Sequence, residues 1–183
     1  MKWLIASDIH GSHRYCEKLM ESFRKENTDK MLLLGDLLYH GPRNSLPDLY
    51  NTQLVADMLN EHKDYIVCVR GNCDAEVDQV MLEFPIMADF TIINEGDIMM
   101  FASHGHIYNE YSVPYSVQNG GVLLNGHTHI PACIPHKDFI YMNPGSVSIP
   151  KGGSYHGYMT YDNGVFKWKD FDGKTRNTYT IHR

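Results

Sequence analysis

The 183 residues suit one domain, and a chain of that length can bury about 70% of the surface its unfolded form exposes, so the core needs no disulfide or metal staple. Lys and Arg number 16 against 22 Asp and Glu, a formal net charge of -6 with no basic stripe, which argues against binding nucleic acid through charge. No run of about 18 apolar residues could span a membrane, and the N-terminal apolar run is too short for a signal peptide, so a cytoplasmic protein without a membrane partner is expected.

Trp3-Leu4-Ile5-Ala6 is a continuous apolar run, the mark of a strand buried on both faces, and it ends at Asp8 and His10. From about Ser12 to Asn27, Leu19, Met20 and Phe23 fall at helical spacing among charges. The unit then repeats. Met31 to Leu34 form a second buried strand ending at Gly35-Asp36, followed by the turn-rich loop His40-Gly41-Pro42-Arg43-Asn44. A helix near Thr52 to His62, with Leu54, Val55, Met58 and Leu59 on one face, precedes a third strand, Tyr65 to Val69, which ends at Gly71-Asn72-Cys73-Asp74. Strand, helix, strand, helix, strand predicts a parallel sheet.

After Pro85 the rhythm changes. Phe90 to Ile93 and Ile98 to Ala102 flank Asn94-Glu95-Gly96-Asp97 as a hairpin, whose second strand ends at His104-Gly105-His106. A connection holding Tyr108, Tyr111 and Tyr115 leads to Val122-Leu123-Leu124 and then Gly126-His127-Thr128-His129. Ile134 and Phe139-Ile140-Tyr141 predict another hairpin, and the tail reads as short strands around Asn163-Gly164 and Asp172-Gly173. Cys16, Cys68, Cys73 and Cys133 show no C-x-x-C spacing and read as free thiols of a reducing compartment. The expected architecture is a single α/β domain, residues 1–183, of two packed sheets with helices outside.

Five buried runs end alike, with Asp8 and His10, Asp36, Asn72, His104, and His127 with His129 just beyond them. Ligands bind in the crevice outside strand ends in α/β sheets, and each of these side chains offers a cation an oxygen or an imidazole nitrogen. Mixed ligation suits Mn, Fe, Zn, Ni or Co, with Mg still allowed. Seven donors exceed one tetrahedral ion and suit two ions sharing a carboxylate, for which Asp36 is the obvious bridge. The glycine before His127 favours an immediate turn, which would aim His127 and His129 at different ions. Such a pair of ions serves in-line phosphoryl transfer, with a hydroxide available at neutral pH.

Asp8-x-His10, Gly35-Asp36, Gly71-Asn72, His104 and Gly126-His127-x-His129 resemble, in order and spacing, the five motifs of the calcineurin-like metallophosphoesterases. The phrases His40 to Asn44, Gly71 to Asp74 and Asn143 to Gly153 resemble the small bacterial YfcE-type phosphodiesterases. The resemblance implies an αββα sandwich of two packed mixed sheets flanked by helices. It also implies a dinuclear centre, usually active with Mn(2+), that hydrolyses small phosphodiesters by attack of a hydroxide bridging the ions. Carried over by position, Asp8, His10, Asp36 and His129 would hold one ion, and Asp36, Asn72, His104 and His127 the other. Cys73 departs from the broader family's histidine, thought to protonate the leaving group; a thiol replaces it poorly and reads as a wall residue.

Other residues keep two readings. His106 is a catalytic or substrate-contacting residue, or else a histidine that supports the ligands. Arg43 reaches a substrate phosphate or bonds its own loop. His40 reads as structural, the Lys151-Gly152-Gly153 stretch lacks Walker spacing, and His13, His62, His136, His156 and His182 follow no ligand pattern. Tyr108, Tyr111 and Tyr115 offer an aromatic wall on which a base or aryl group stacks, or else fit packing or subunit contact, which would allow a homo-oligomer. Two other functions stay in view: a phosphomonoesterase acting on small phosphorylated metabolites, and a non-catalytic protein-binding scaffold of the retromer-subunit kind.

Overall fold

The computed structural model describes residues 1–181, so His182 and the expected boundary at residue 183 lie outside the described residues. Its first half alternates strands β1 (Trp3–Ala6), β2 (Lys30–Leu33) and β3 (Ile66–Cys68) with helices α1 (His13–Glu26), α2 (Thr52–Asn60) and α3 (Glu76–Met81). Strands β4 (Phe90–Glu95), β5 (Ile98–Ser103), β6 (Gly121–Leu124), β7 (Ala132–Pro135), β8 (Phe139–Asn143), β9 (Gly157–Asp162), β10 (Val165–Asp170) and β11 (Thr175–Thr180) follow.

They form two mixed sheets, ordered β11-β10-β9-β1-β2-β3 and β4-β5-β6-β8-β7. The apolar runs β1, β2 and β3 pair in parallel, as do β5, β6 and β8. Antiparallel strands flank both groups. Alternation along β1 divides its side chains between two cores. Leu4 and Ala6 join the layer that holds Leu19, Met20 and Phe23 of α1 and Val55 and Leu59 of α2. Trp3 and Ile5 face the other way and meet Met100, Val122, Leu124 and Met142 of the second sheet. Burying each such side chain contributes about 2 kcal/mol, so the sandwich rests on this double packing.

Local signals explain the ends of the helices. The Ser12 hydroxyl accepts the Tyr15 N–H at the start of α1, and Asn27 closes it in a left-handed conformation at φ 50. Asn51 caps α2 through the Leu54 N–H at 3.1 Å. The buried face of α2 is Val55, Ala56 and Leu59, with Leu54 turned to solvent at 41% exposure. The α-helical packing lies on the six-stranded sheet, whereas the outer face of the five-stranded sheet is covered by Val117 of a short 3-10 turn together with Tyr108 and Val113.

Candidate metal centre

The loops after β1 and β2 run side by side. Asp8, His10 and Gly11 donate backbone N–H groups to the carbonyls of Gly35, Asp36 and Leu37 at 3.1, 2.9 and 2.9 Å. This pairing turns Asp8, His10 and Asp36 into the left-handed region, with φ 60, 48 and 56, and the loop after β6 does the same to His127 and His129 at φ 65 and 61. Side chains with a Cβ enter that region at a cost of order 1 kcal/mol each, and such residues cluster where function fixes their direction. Gly126 permits the crossing of the two loops: a Cβ there would lie 1.8 Å from Ser7 Oγ and 2.8 Å from Asp8 Oδ2.

The seven donors converge as two groups. In one, His10 Nε2 lies 3.3 Å from His129 Nε2 and 3.5 Å from Asp8 Oδ1, and His129 Nε2 lies 3.2 Å from the same oxygen. In the other, His104 Nε2 lies 3.0 Å from Asn72 Oδ1 and 3.2 Å from His127 Nδ1. Asp36 Oδ2 faces both, 3.6 Å from His10 Nε2 and 3.4 Å from His104 Nε2. Its other oxygen, Oδ1, accepts the Cys73 N–H at 2.8 Å, which fixes the carboxylate with Oδ2 between the groups.

The donor chemistry fits cations. Two nitrogens each about 2.1 Å from one ion lie roughly 3.0–3.4 Å apart, the spacing found here. Asp8 Oδ1 is buried and accepts no hydrogen bond, although its partner Oδ2 accepts the His127 N–H at 3.0 Å. The Nδ1 atoms of His10, His104 and His129 donate to the carbonyls of Tyr39, Leu34 and Ile149 at 2.8, 2.7 and 2.7 Å. That fixes each tautomer and aims the Nε2 lone pair inward, the arrangement metal-binding histidines use. His127 alone presents Nδ1.

Without cations these groups hold each other's charges. Burial alone would raise Asp8, but the imidazoles of His10 and His129 and the charge on His104 hold it well below the usual carboxylate range. Burial opposes a charge on His104, yet the carboxylates of Asp36 and Asp8 outweigh it and lift the imidazole to about 9. A set of acids and imidazoles that stabilise one another's charged forms in a buried crevice marks a functional site.

Comparison with known proteins identifies the family. Residues 1–164 match the family model described as the calcineurin-like phosphoesterase superfamily domain. The chain belongs to that superfamily. It is 44% identical over 165 residues to phosphodiesterase YfcE of Escherichia coli (strain K12), covering 90% of this chain and 89% of that protein. The solved structure of that E. coli phosphoesterase superposes with a TM-score of 0.96 at 40% identity, over 100% of both chains. Vacuolar protein sorting 29 from Cryptosporidium parvum, at 16% identity, shares the fold, with a TM-score of 0.65 over 98% of each chain.

At the candidate centre, Asn72, Cys73 and Arg43 line one cleft with Asp36, His127 and His129. Burial and the charge of Asp36 push the Cys73 thiol up to about 12, and its sulfur lies within 4.8 Å of ligand atoms of His10 and Asp36. His106 stands beside the second group, its ring 5.4 Å from that of His104 and 6.3 Å from that of His127. Burial and the His104 charge lower its pKa. None of Tyr108, Tyr111 and Tyr115 is among the residues lining the cleft. His40 packs edge-on against Tyr39 and Tyr50, 4.8 and 5.3 Å between ring centres, beneath its loop.

Sequence reasoning missed the residues that hold the loops. Asp74 Oδ2 accepts the Asp36 and Gly71 N–H groups at 2.8 and 2.7 Å, and Oδ1 that of Leu37 at 2.8 Å. Ser146 Oγ donates to the Asp8 carbonyl at 2.8 Å, and Asn143 Nδ2 to that of Gly126 at 2.7 Å. All three lie in the phrases Gly71 to Asp74 and Asn143 to Gly153, so the signal was present as motif without a role.

Proposed function

We propose that this chain, as one domain over residues 1–183, is a cytoplasmic metal-dependent phosphodiesterase that hydrolyses small phosphodiesters by in-line displacement at a two-ion centre. The observation that carries the reading is Asp36 Oδ2, which faces one imidazole from each of two donor groups at 3.6 and 3.4 Å. Asp8, His10, Asp36 and His129 would hold one ion, and Asp36, Asn72, His104 and His127 the other. Two divalent ions, Mn(2+) first and Ni, Zn, Fe or Mg as substitutes, would attract an anionic phosphate oxygen and lower the pKa of water from about 15.7 towards ~7.

The protein side chains do the rest. Arg43, on the rim of the cleft, offers its planar fork to a phosphate group of the substrate, and Cys73 shapes the wall. His106, whose pKa burial lowers, contacts substrate or water. Cys73 stands where the broader family carries a histidine thought to protonate the leaving group, and a thiol replaces that acid poorly. Diesters with acidic leaving groups are therefore the favoured substrates. The activity named for the E. coli relative supports the diester reading over a monoesterase. The complete donor set speaks against a scaffold. Exposed Tyr111 and Tyr115 support self-association, which sedimentation would measure.

Hydrolysis of bis(p-nitrophenyl) phosphate and p-nitrophenyl phosphate is the test, with chelated protein and Mn, Mg, Ni or Zn restored singly. The diester is turned over with metal, most with Mn, and activity vanishes with chelator. Undiminished activity in chelator would sink the reading, and faster monoester turnover would replace it with a phosphomonoesterase.

A further inference from the structure

The cleft over the centre carries two cations whose charge the scissile diester does not offset. Arg43 and Lys151, both exposed, line it together with Asp36, Asn72 and Cys73. Each stands on a tight turn. The Asn44 N–H closes a turn on the Gly41 carbonyl at 3.4 Å, and Gly41 lies so near Cys73 that a Cβ would meet its sulfur at 3.0 Å. On the other turn the Ser154 N–H bonds the Lys151 carbonyl at 3.1 Å, through Gly152 and Gly153 at φ 63 and 70. Two successive left-handed residues define a type I′ turn, which glycines adopt without strain. The Lys151 N–H in turn bonds the carbonyl of His129 at 3.1 Å, so this turn is fastened to a member of the donor group.

Neither charge is spent inside the protein. Arg14, Arg70 and Arg176 pair with Asp48, Asp89 and Asp170, but among the described residues Arg43 and Lys151 have no carboxylate partner. Asp36, the one carboxylate lining the cleft among the described residues, belongs to the donor groups. Two divalent ions against Asp8 and Asp36 leave about +2, which a diester anion and an anionic nucleophile offset. The two rim charges remain for something else.

We propose that Lys151, with Arg43, binds a second anionic group of the substrate, a terminal phosphate carried beyond the scissile diester. The inference rests on the phosphodiesterase reading and names its substrate class: diesters of already phosphorylated compounds. A phosphate monoester near neutral pH carries -1.5 to -2, roughly the sum of the two cations with sign reversed.

The test compares the p-nitrophenyl ester of thymidine 5′-phosphate with the same ester bearing a 3′-phosphate, using Mn-loaded protein. The phosphorylated ester should show a kcat/KM about tenfold higher or more, mainly through KM, the scale of a charge-assisted hydrogen bond. In K151M the ratio falls towards one, in K151R it is kept, and in K151E it inverts. Calorimetry with thymidine 3′,5′-bisphosphate and thymidine 5′-phosphate should show the same dependence on Lys151. Equal kcat/KM values for the two esters, or a ratio that K151E leaves untouched, overturn the inference while the phosphodiesterase reading stands. If neither ester is turned over, that reading fails, and calorimetry alone decides whether Lys151 prefers the bisphosphate.

Discussion

Asp74 faces neither group of donors, yet it holds the backbone that aims them. Its carboxylate takes three N–H groups from the loops after β2 and β3, against burial that raises its pKa. Truncation strands buried donors at about 1–3 kcal/mol each, so D74A should destabilise the fold by roughly 3 kcal/mol or more and lower ion content with it. Urea unfolding and elemental analysis of the same preparation check both; a stable, fully loaded D74A would refute it. The seven donors were legible because each follows an apolar run, and strand ends in α/β sheets face the ligand crevice. Asp74 was not, because its task depends on three N–H groups that become neighbours only after the strands pair. The left-handed backbone at Asp8, His10 and Asp36 was equally invisible, since side chains with a Cβ seldom adopt it.

At the scale of elements, periodicity placed α1 and nearly all the strands, because two-faced burial and helical spacing are written in the order of apolar residues. It failed where a helix buries little. In α3 only Asp78 is buried, and the Asp78 side chain accepts the Ala75 N–H at 2.8 Å, so capping and not an apolar face defines that helix. In α2 four apolar residues competed for one face, and Leu54 lost because Val55, Ala56 and Leu59 point together. The end of α1 meets the sheet through Glu26, which accepts the Tyr158 hydroxyl at 3.0 Å and pairs with Lys169 at 2.6 Å. Burial would raise this carboxyl, but Lys169 and Tyr158 hold it lower than the usual value of about 4.3. A lowered folded pKa contributes stability that is fully present above the unfolded value and is lost as pH falls through the folded one. E26Q should therefore unfold more readily than wild type at pH 7, with the difference shrinking below about pH 4.3. Urea midpoints across that range measure it; a gap that widens in acid contradicts the assignment.

Over the whole molecule, the two sheets bring their strand ends to one crevice, and neither group of donors comes from one sheet alone. Cations that bind only this arrangement stabilise it by mass action. Mn at about 100 times its dissociation constant should add roughly 2.7 kcal/mol per independent site. Urea denaturation with Mn and with chelator reads the shift, and D36N should abolish most of it; identical midpoints would deny a folded-state site. The sandwich was legible from the run of strands, whereas the one-sided helix layer was not, because the tyrosine-rich connection covers the second sheet without helical spacing. His10 and His129 stand 3.3 Å apart across 119 residues of chain. A growing chain on the ribosome thus makes Asp8, His10 and Asp36 early but cannot complete either donor group until Gly126-His127-Thr128-His129 has emerged. Ion loading in this sense reports that synthesis has passed β6: a chain cut short before it keeps several donors and can close neither set.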